Sequence, residues 1–386
     1  MTGVAVPYWR LSGFYLFYFA LLGATAPFLA PWFAYLGFAP ARIGELVAIP
    51  MLMRCVAPHL WGWLGDRTGQ RLRIVRLGAA ATLASFSLVF LGHSYAWLAM
   101  VMALHAFFWH AVLPQFEVIT LAHLRQQPTR YGRVRLWGSI GFILAVVALG
   151  RWFEYQSLSS YPYTVVIIMV GILLASAWVP APARGEDETS QAAPGDGFLA
   201  RLAQPGVLAF YACVGLMQLS HGPYYTFFSI YLGELGYSAV VIGLCWALGV
   251  VAEILMFLAM AWLLARFSVR QVLAVSFALA AVRWLLLGSL AQNATVLVLA
   301  QVLHAATFGS FHAAAIQQVR QTFGLRYQGQ GQALYAALAG IGGALGAVYA
   351  GYSWQALGPF GTFALASLAA LAATVMIVVF DKKEPV

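Results

Sequence analysis

The chain has 386 residues, of which 62% are hydrophobic and only 9% are charged. That is about a third of the charged share of a soluble protein, so a soluble enzyme is excluded. The net charge of +9 sits in alternate short loops, where it marks membrane topology, and no nucleic-acid partner is expected. Apolar stretches of about 20 residues recur along the whole length, each able to cross a ~30 Å hydrocarbon core at ~1.5 Å per residue.

Twelve membrane-spanning helices are predicted, over roughly 8–36, 41–64, 73–92, 95–124, 131–153, 161–180, 205–233, 239–264, 270–290, 294–322, 328–354 and 359–380. The fold class is therefore all-α and integral to the lipid bilayer. Span 1 is rich in aromatics: Tyr15, Tyr18, Phe19, Trp32 and Tyr35. Packing and interfacial anchoring explain most membrane aromatics, but some of these rings could form a stacking surface for a planar cargo. Span 2 carries Arg54, about 18 Å along a helix from Asp66. Span 4 carries His105, His110 and Glu117, and Arg135 opens span 5. The segment Ala181–Gln204, with its Pro, Gly, Ser and acidic residues, reads as a solvated linker. It separates an N-terminal six-helix half (1–180) from a C-terminal one (205–386). Span 7 opens with His221-Gly222-Pro223, a candidate gating hinge, followed by Tyr224, Tyr225, Phe227, Phe228 and Tyr231. Span 8 carries Glu253, span 9 Arg283, and span 10 His304 and His312.

Arg67, Arg71, Arg73 and Arg76 follow span 2, and Arg125, Arg130, Arg133 and Arg135 lie at the junction of spans 4 and 5. Arg266, Arg270, Arg320, Arg326, Lys382 and Lys383 occupy the corresponding positions later, while the opposite side has only Arg42 and Arg151. By the positive-inside rule both termini and the linker are cytoplasmic. The first apolar stretch is too long for a cleavable signal peptide and lacks a small-residue cleavage pattern, so none is expected. Cys55, Cys213 and Cys245 lie within apolar helices at spacings that match no metal motif, and are read as packing residues. No metal and no cofactor are expected.

A charge inside a membrane helix costs at least ~2.5–3.5 kcal/mol on insertion scales, so it persists where it faces a cavity or a partner. Arg54, Glu117, Glu253 and Arg283 are such charges. Glu253 must pair or take up a proton; it is a candidate proton carrier, or else a static ion pair, with Arg283 and His304 its nearest candidate partners. His304 and His312 share one helix face and could relay protons or simply pack, and His105 and His110 read more readily as packing residues. Arg54 and Arg135 could each hold an anionic cargo, Arg135 alternatively anchoring topology. Glu117 would pair with Arg135 until cargo arrives.

The two halves resemble one another at a single offset of 199 residues. It aligns Gly23 with Gly222, Phe28 with Phe227, Gly37 with Gly236, Gly44 with Gly243, Leu104-His105-Ala106 with Leu303-His304-Ala305, Gly132 with Gly331 and Gly141 with Gly340. Even-numbered halves give parallel repeats.

Span 2 ends in Gly62-Trp63-Leu64-Gly65-Asp66-Arg67-Thr68-Gly69-Gln70-Arg71. This resembles the loop signature of the major facilitator superfamily, G-x-L-x-D-R-x-G-x-[RK], and the resemblance covers the whole chain. It implies two six-helix halves and a conformational role for Gly62, Asp66, Arg67, Gly69 and Arg71, which could also merely cap helices and anchor a turn. The equivalent loop Ala265-Arg266-Phe267-Ser268 has lost the Gly and Asp. Pro114-Gln115-Phe116-Glu117 with Gly132-Arg133-Val134-Arg135 and Gly138 is similar to lactose permease, where a Glu and an Arg at this separation bind sugar. Glu253, Arg283 and His304 resemble that permease's proton-coupling residues, but Thr307 stands where it has a proton-carrying Glu. Tyr131-Gly132-x-Val134-Arg135-Leu136-Trp137-Gly138-Ser139, Leu248-Gly249-Val250-Val251-Ala252-Glu253, Val282-Arg283-Trp284 and Leu303-His304 with Thr307, Phe308 and His312 are similar to phenylpropionate permeases.

The expected function is secondary transport: proton-coupled uptake of a small organic solute across the inner membrane, an aromatic carboxylate first. Sugar or nucleoside symport and proton-driven efflux of hydrophobic compounds are the alternatives. The expected coupling residues are Glu253, Arg283 and His304, and the expected cargo residues Arg54, Glu117, Arg135, Tyr15 and Tyr224. The chain is expected to act as a monomer. No Walker-type phosphate loop and no H-E-x-x-H run supports an ATP-driven pump or a membrane hydrolase.

Overall fold

A computed structural model describes residues 6–125, 127–182 and 196–380. Lys382, Lys383 and the first part of the expected linker lie outside the described residues. All regular structure among the described residues is helical, as a bilayer demands, since a helix satisfies every backbone N–H and C=O within its own segment.

Among the described residues ten helices are long and apolar enough to cross a membrane. One of them, Arg326–Val379, has 54 residues, far more than one crossing needs at ~1.5 Å per residue. It is interrupted by Gly358, whose non-helical φ of 71° starts a new span ahead of Pro359. Span 7 falls outside the ten because it is two short helices, Pro205–Ser220 and Gly222–Glu234, broken at His221. The break falls at the expected Gly222-Pro223, because a proline supplies no N–H to the preceding turn. Dividing the long element and joining the pair gives the twelve expected spans.

The end of the expected linker carries local structure. Residues Asp196–Leu202 form a short helix whose Leu199, Ala200 and Arg201 are exposed. The Phe198 ring lies 5.0 Å from that of Phe323, and Arg201 donates to the Thr322 carbonyl at 3.0 Å.

The chain forms two compact units. The first comprises Met1–Phe38, Ile49–Asp187 and Tyr237–Leu244, and the second Ala39–Ala48, Glu188–Gly236 and Cys245–Val386. Within the first, span 1 packs on spans 5 and 6, and span 3 on spans 4 and 6. The second repeats this pattern. Gly215 and Gly222 of span 7 meet Gly342 and Gly346 of span 11, Cys213 donates to Ala373 of span 12 at 3.4 Å, and Ser367 of span 12 donates to Ala281 of span 9 at 2.9 Å.

The 199-residue offset also holds at the hydrogen-bond level. Leu36 donates to Trp32 and Gly37 to Ala34, and likewise Leu235 to Tyr231 and Gly236 to Gly233. Gly37 and Gly236 end their helices at φ of 86° and 87°, a left-handed conformation that glycine adopts without steric cost.

The units depart from the sequence halves reciprocally. The start of span 2 belongs to the second unit, where Gly44 packs against Ala347 and Gly351 and Tyr352 donates to Glu45 at 2.6 Å. The start of span 8 belongs to the first, where its repeat mate Gly243 packs against Val146.

Candidate functional site

The first unit gathers one cluster of polar side chains. Glu117 and Arg135 face each other with Oε1 and Nε 3.9 Å apart, their side chains 37% and 32% accessible. This is an ion pair too long for a hydrogen bond. The Arg135 guanidinium stacks on Phe19 at 3.9 Å and lies 5.6 Å from the Tyr15 ring. Tyr15 is fully buried and its hydroxyl donates to Thr120 at 3.2 Å. It was expected at the cargo, and it lies against the Arg135 guanidinium. Phe14 and Phe116 stack at 3.6 Å and fix span 4 against span 1 beside Glu117. Arg54 is exposed and makes no hydrogen bond or ion pair among the described residues, so its charge is available. His110 donates from Nε2 to the Pro50 carbonyl at 3.2 Å, and buried His105 lies between Phe86 and Trp109, the packing environment expected of both histidines.

The loop motif is tied into the same unit. Asp66 pairs with Arg71, which also donates to Oε1 of Gln115 at 2.8 Å, and Gln115 in turn donates to the Trp61 carbonyl at 3.2 Å. Gly69 makes the turn at φ of 64°, and Arg67 lies over the Trp63 ring at 5.4 Å. Gly62 has open space around it. Gln115 was not singled out from the sequence. Its signal was an amide in an apolar span, two residues before Glu117.

The second unit holds the other cluster. Arg283 is fully buried. It donates from Nε to the Ala300 carbonyl at 2.7 Å, and from Nη1 to His304 Nδ1 at 3.1 Å and to Thr307 at 3.0 Å. Its plane is flanked by Tyr224 at 4.3 Å and Trp284 at 4.7 Å. An arginine can only donate, so His304 Nδ1 is the acceptor and the ring carries its hydrogen on Nε2. That nitrogen faces Oε2 of Glu253 at 3.8 Å. The imidazole of His304 thus stands between Arg283 and Glu253, hydrogen-bonded to the arginine and beyond hydrogen-bond distance of the carboxylate. Thr307 provides a neutral acceptor to the arginine, so Glu253 is the one carboxylate in this row.

Tyr224 is only 1% exposed and donates to Gln301 at 2.9 Å. Expected at the cargo, it lies against the Arg283 guanidinium. Span 10 carries a π-helical turn over Ala305–Ser310. Side chains four apart lie on one face of a helix. His304, Phe308 and His312 accordingly stack, each neighbouring pair within 7° of parallel, and His312 ends on the Tyr335 hydroxyl at 2.8 Å. Among the described residues no group of three or more His, Cys, Asp or Glu could hold a metal ion.

Charged clusters set within apolar, membrane-length helices are the marks of a membrane transporter. The family model described as the MFS_1-like family matches residues 8–365, and the chain belongs to that family, within the major facilitator superfamily. The chain is 30% identical over 335 residues to a probable 3-phenylpropionic acid transporter of Escherichia coli (strain K12), covering 86% of each. It is 26% identical over 340 residues to the maltose permease of Geobacillus stearothermophilus, covering 85% of this chain and 84% of the permease. The crystal structure of the nucleoside transporter NupG superposes with a TM-score of 0.87 at 16% identity, over 98% of this chain and 99% of that one. Family and relatives are transporters and not enzymes.

Proposed function

We propose that this transporter takes up a small aromatic carboxylate, such as 3-phenylpropionate, together with one proton. The observation that carries the reading is the Arg283–His304–Glu253 row: a partly accessible carboxylate 3.8 Å from a neutral ring that is hydrogen-bonded to a buried cation. Glu253 is the proton acceptor of this scheme. With Arg283 bound to Nδ1, His304 has no free position for a second proton, so it orients Glu253 and does not itself carry charge. Arg135, with Arg54, receives the cargo carboxylate, which displaces Glu117 from its loose pair. A proton and a monoanion move together with no net charge, which suits a cargo arriving as an anion against an inside-negative potential.

The similarity to a probable 3-phenylpropionic acid transporter supports the cargo class. Loop charges support a bacterial inner-membrane location with the termini and the 181–204 linker cytoplasmic. The test is radiolabelled uptake into right-side-out vesicles energised with acid outside, comparing 3-phenylpropionate, maltose and a nucleoside. Uphill uptake of the aromatic acid alone is expected, and uphill uptake of either neutral compound in its place overturns the cargo. In the same vesicles Ala193→Cys should stay unlabelled by an impermeant thiol reagent until they are broken. Labelling of the intact vesicles overturns the orientation.

A further inference from the structure

Arg135 is held by two residues that the proposed transport scheme does not use. The Phe19 ring centroid lies 3.9 Å from the guanidinium carbon. Gly138 stands one helical turn after Arg135, and a Cβ there would lie 2.7 Å from Cδ2 of Phe19 and 2.8 Å from Nη1 of Arg135. The arginine thus folds back along its own helix over a bare turn, with the aromatic ring laid on its face. Neither approach survives a side chain at 138, because real Cβ atoms do not come this close.

The clamped guanidinium is short of acceptors. Glu117 Oε1 lies 3.9 Å from Nε, beyond hydrogen-bond distance, and among the described residues no other acceptor meets its N–H groups. Its side chain is nevertheless 32% accessible. A guanidinium donates in its own plane, so a ring on its face leaves the donating edge free. A carboxylate fits such an edge through two parallel hydrogen bonds. A neutral amide cannot supply two acceptor oxygens to the fork.

We propose that Phe19 and Gly138 are the positioning residues that set charge selectivity, by holding the Arg135 edge toward the cargo carboxylate. This rests on the aromatic-carboxylate reading, and the test separates the two. Binding of 3-phenylpropionate and of its neutral analogue 3-phenylpropanamide is measured by equilibrium dialysis on purified wild type, Gly138→Ala and Phe19→Leu. In parallel, the rate of phenylglyoxal modification of the Arg135 peptide is followed by mass spectrometry without cargo.

Wild type should prefer the acid at least tenfold. In both variants that preference should fall about tenfold while amide binding is retained, and Arg135 should be modified severalfold faster. An unchanged acid-to-amide ratio in Gly138→Ala, with the amide still bound, overturns the proposal. If wild type binds neither compound, the cargo reading fails and the modification rates decide the clamp by themselves. Faster reaction in both variants supports it, and an unchanged rate in Gly138→Ala overturns it. A loss of amide binding together with acid binding in both variants assigns them a merely structural role and also overturns it.

Discussion

Glu253→Gln should abolish concentrative uptake while leaving exchange down a gradient. Glutamine keeps the shape of the side chain and removes the one carboxylate that faces His304 Nε2. For a proton moving with a monoanion, the pH gradient alone sets the limit: one unit is worth about 1.4 kcal/mol, a tenfold accumulation. In proteoliposomes with a one-unit gradient, acid outside, wild type should therefore approach tenfold accumulation and the variant should stop at equality. A membrane potential imposed alone should drive neither. Counterflow of labelled cargo should persist in the variant, because the arginine that receives cargo lies in the other compact unit and is untouched. Accumulation in Glu253→Gln equal to wild type would remove this carboxylate from the coupling step.

Arg135→Gln should weaken binding of an aromatic carboxylate about ten- to a hundredfold, the ~1.5–3 kcal/mol of a hydrogen bond to a charged group. The effect should be larger than that of Arg54→Gln. Arg135 is pinned against Phe19 beside Glu117 and loses little side-chain freedom when cargo arrives. Arg54 is exposed and unconstrained and must be ordered on binding, which costs entropy. The dissociation constants of the two variants, compared with wild type by equilibrium dialysis, check both direction and order. Normal affinity for the acid in both would mean that neither arginine recognises the cargo.

How far the sequence reached differs between the fold and the sites. The spans were legible because a bilayer admits few backbone solutions, and continuous apolarity marks them directly. The break in span 7 was legible too, since Gly222-Pro223 carries its own cause. The π-helical turn after His304 has no residue signature, whereas the shared face of His304 and His312 followed from their eight-residue spacing. Arg283, His304 and Glu253 could be grouped because charge in an apolar span is conspicuous. Their order could not be read, since it depends on which ring nitrogen faces the arginine. Tyr15 and Tyr224 were expected at the cargo because a membrane aromatic looks the same in sequence whether it lines a cavity or packs behind one. Both turned out to be buried against arginines. Glu45 meets Tyr352, some three hundred positions away, where no local pattern could have connected them.

The central claim is that one proton enters with each cargo molecule, and the direct measurement is proton movement itself. A sensitive pH electrode in a weakly buffered suspension of de-energised cells producing the transporter, pulsed with 3-phenylpropionate, should record an alkaline shift. The shift should match labelled uptake at about one proton per molecule, disappear in Glu253→Gln, and be unaffected by collapsing the membrane potential. Uptake without any pH change, or with an acid shift, would contradict proton symport.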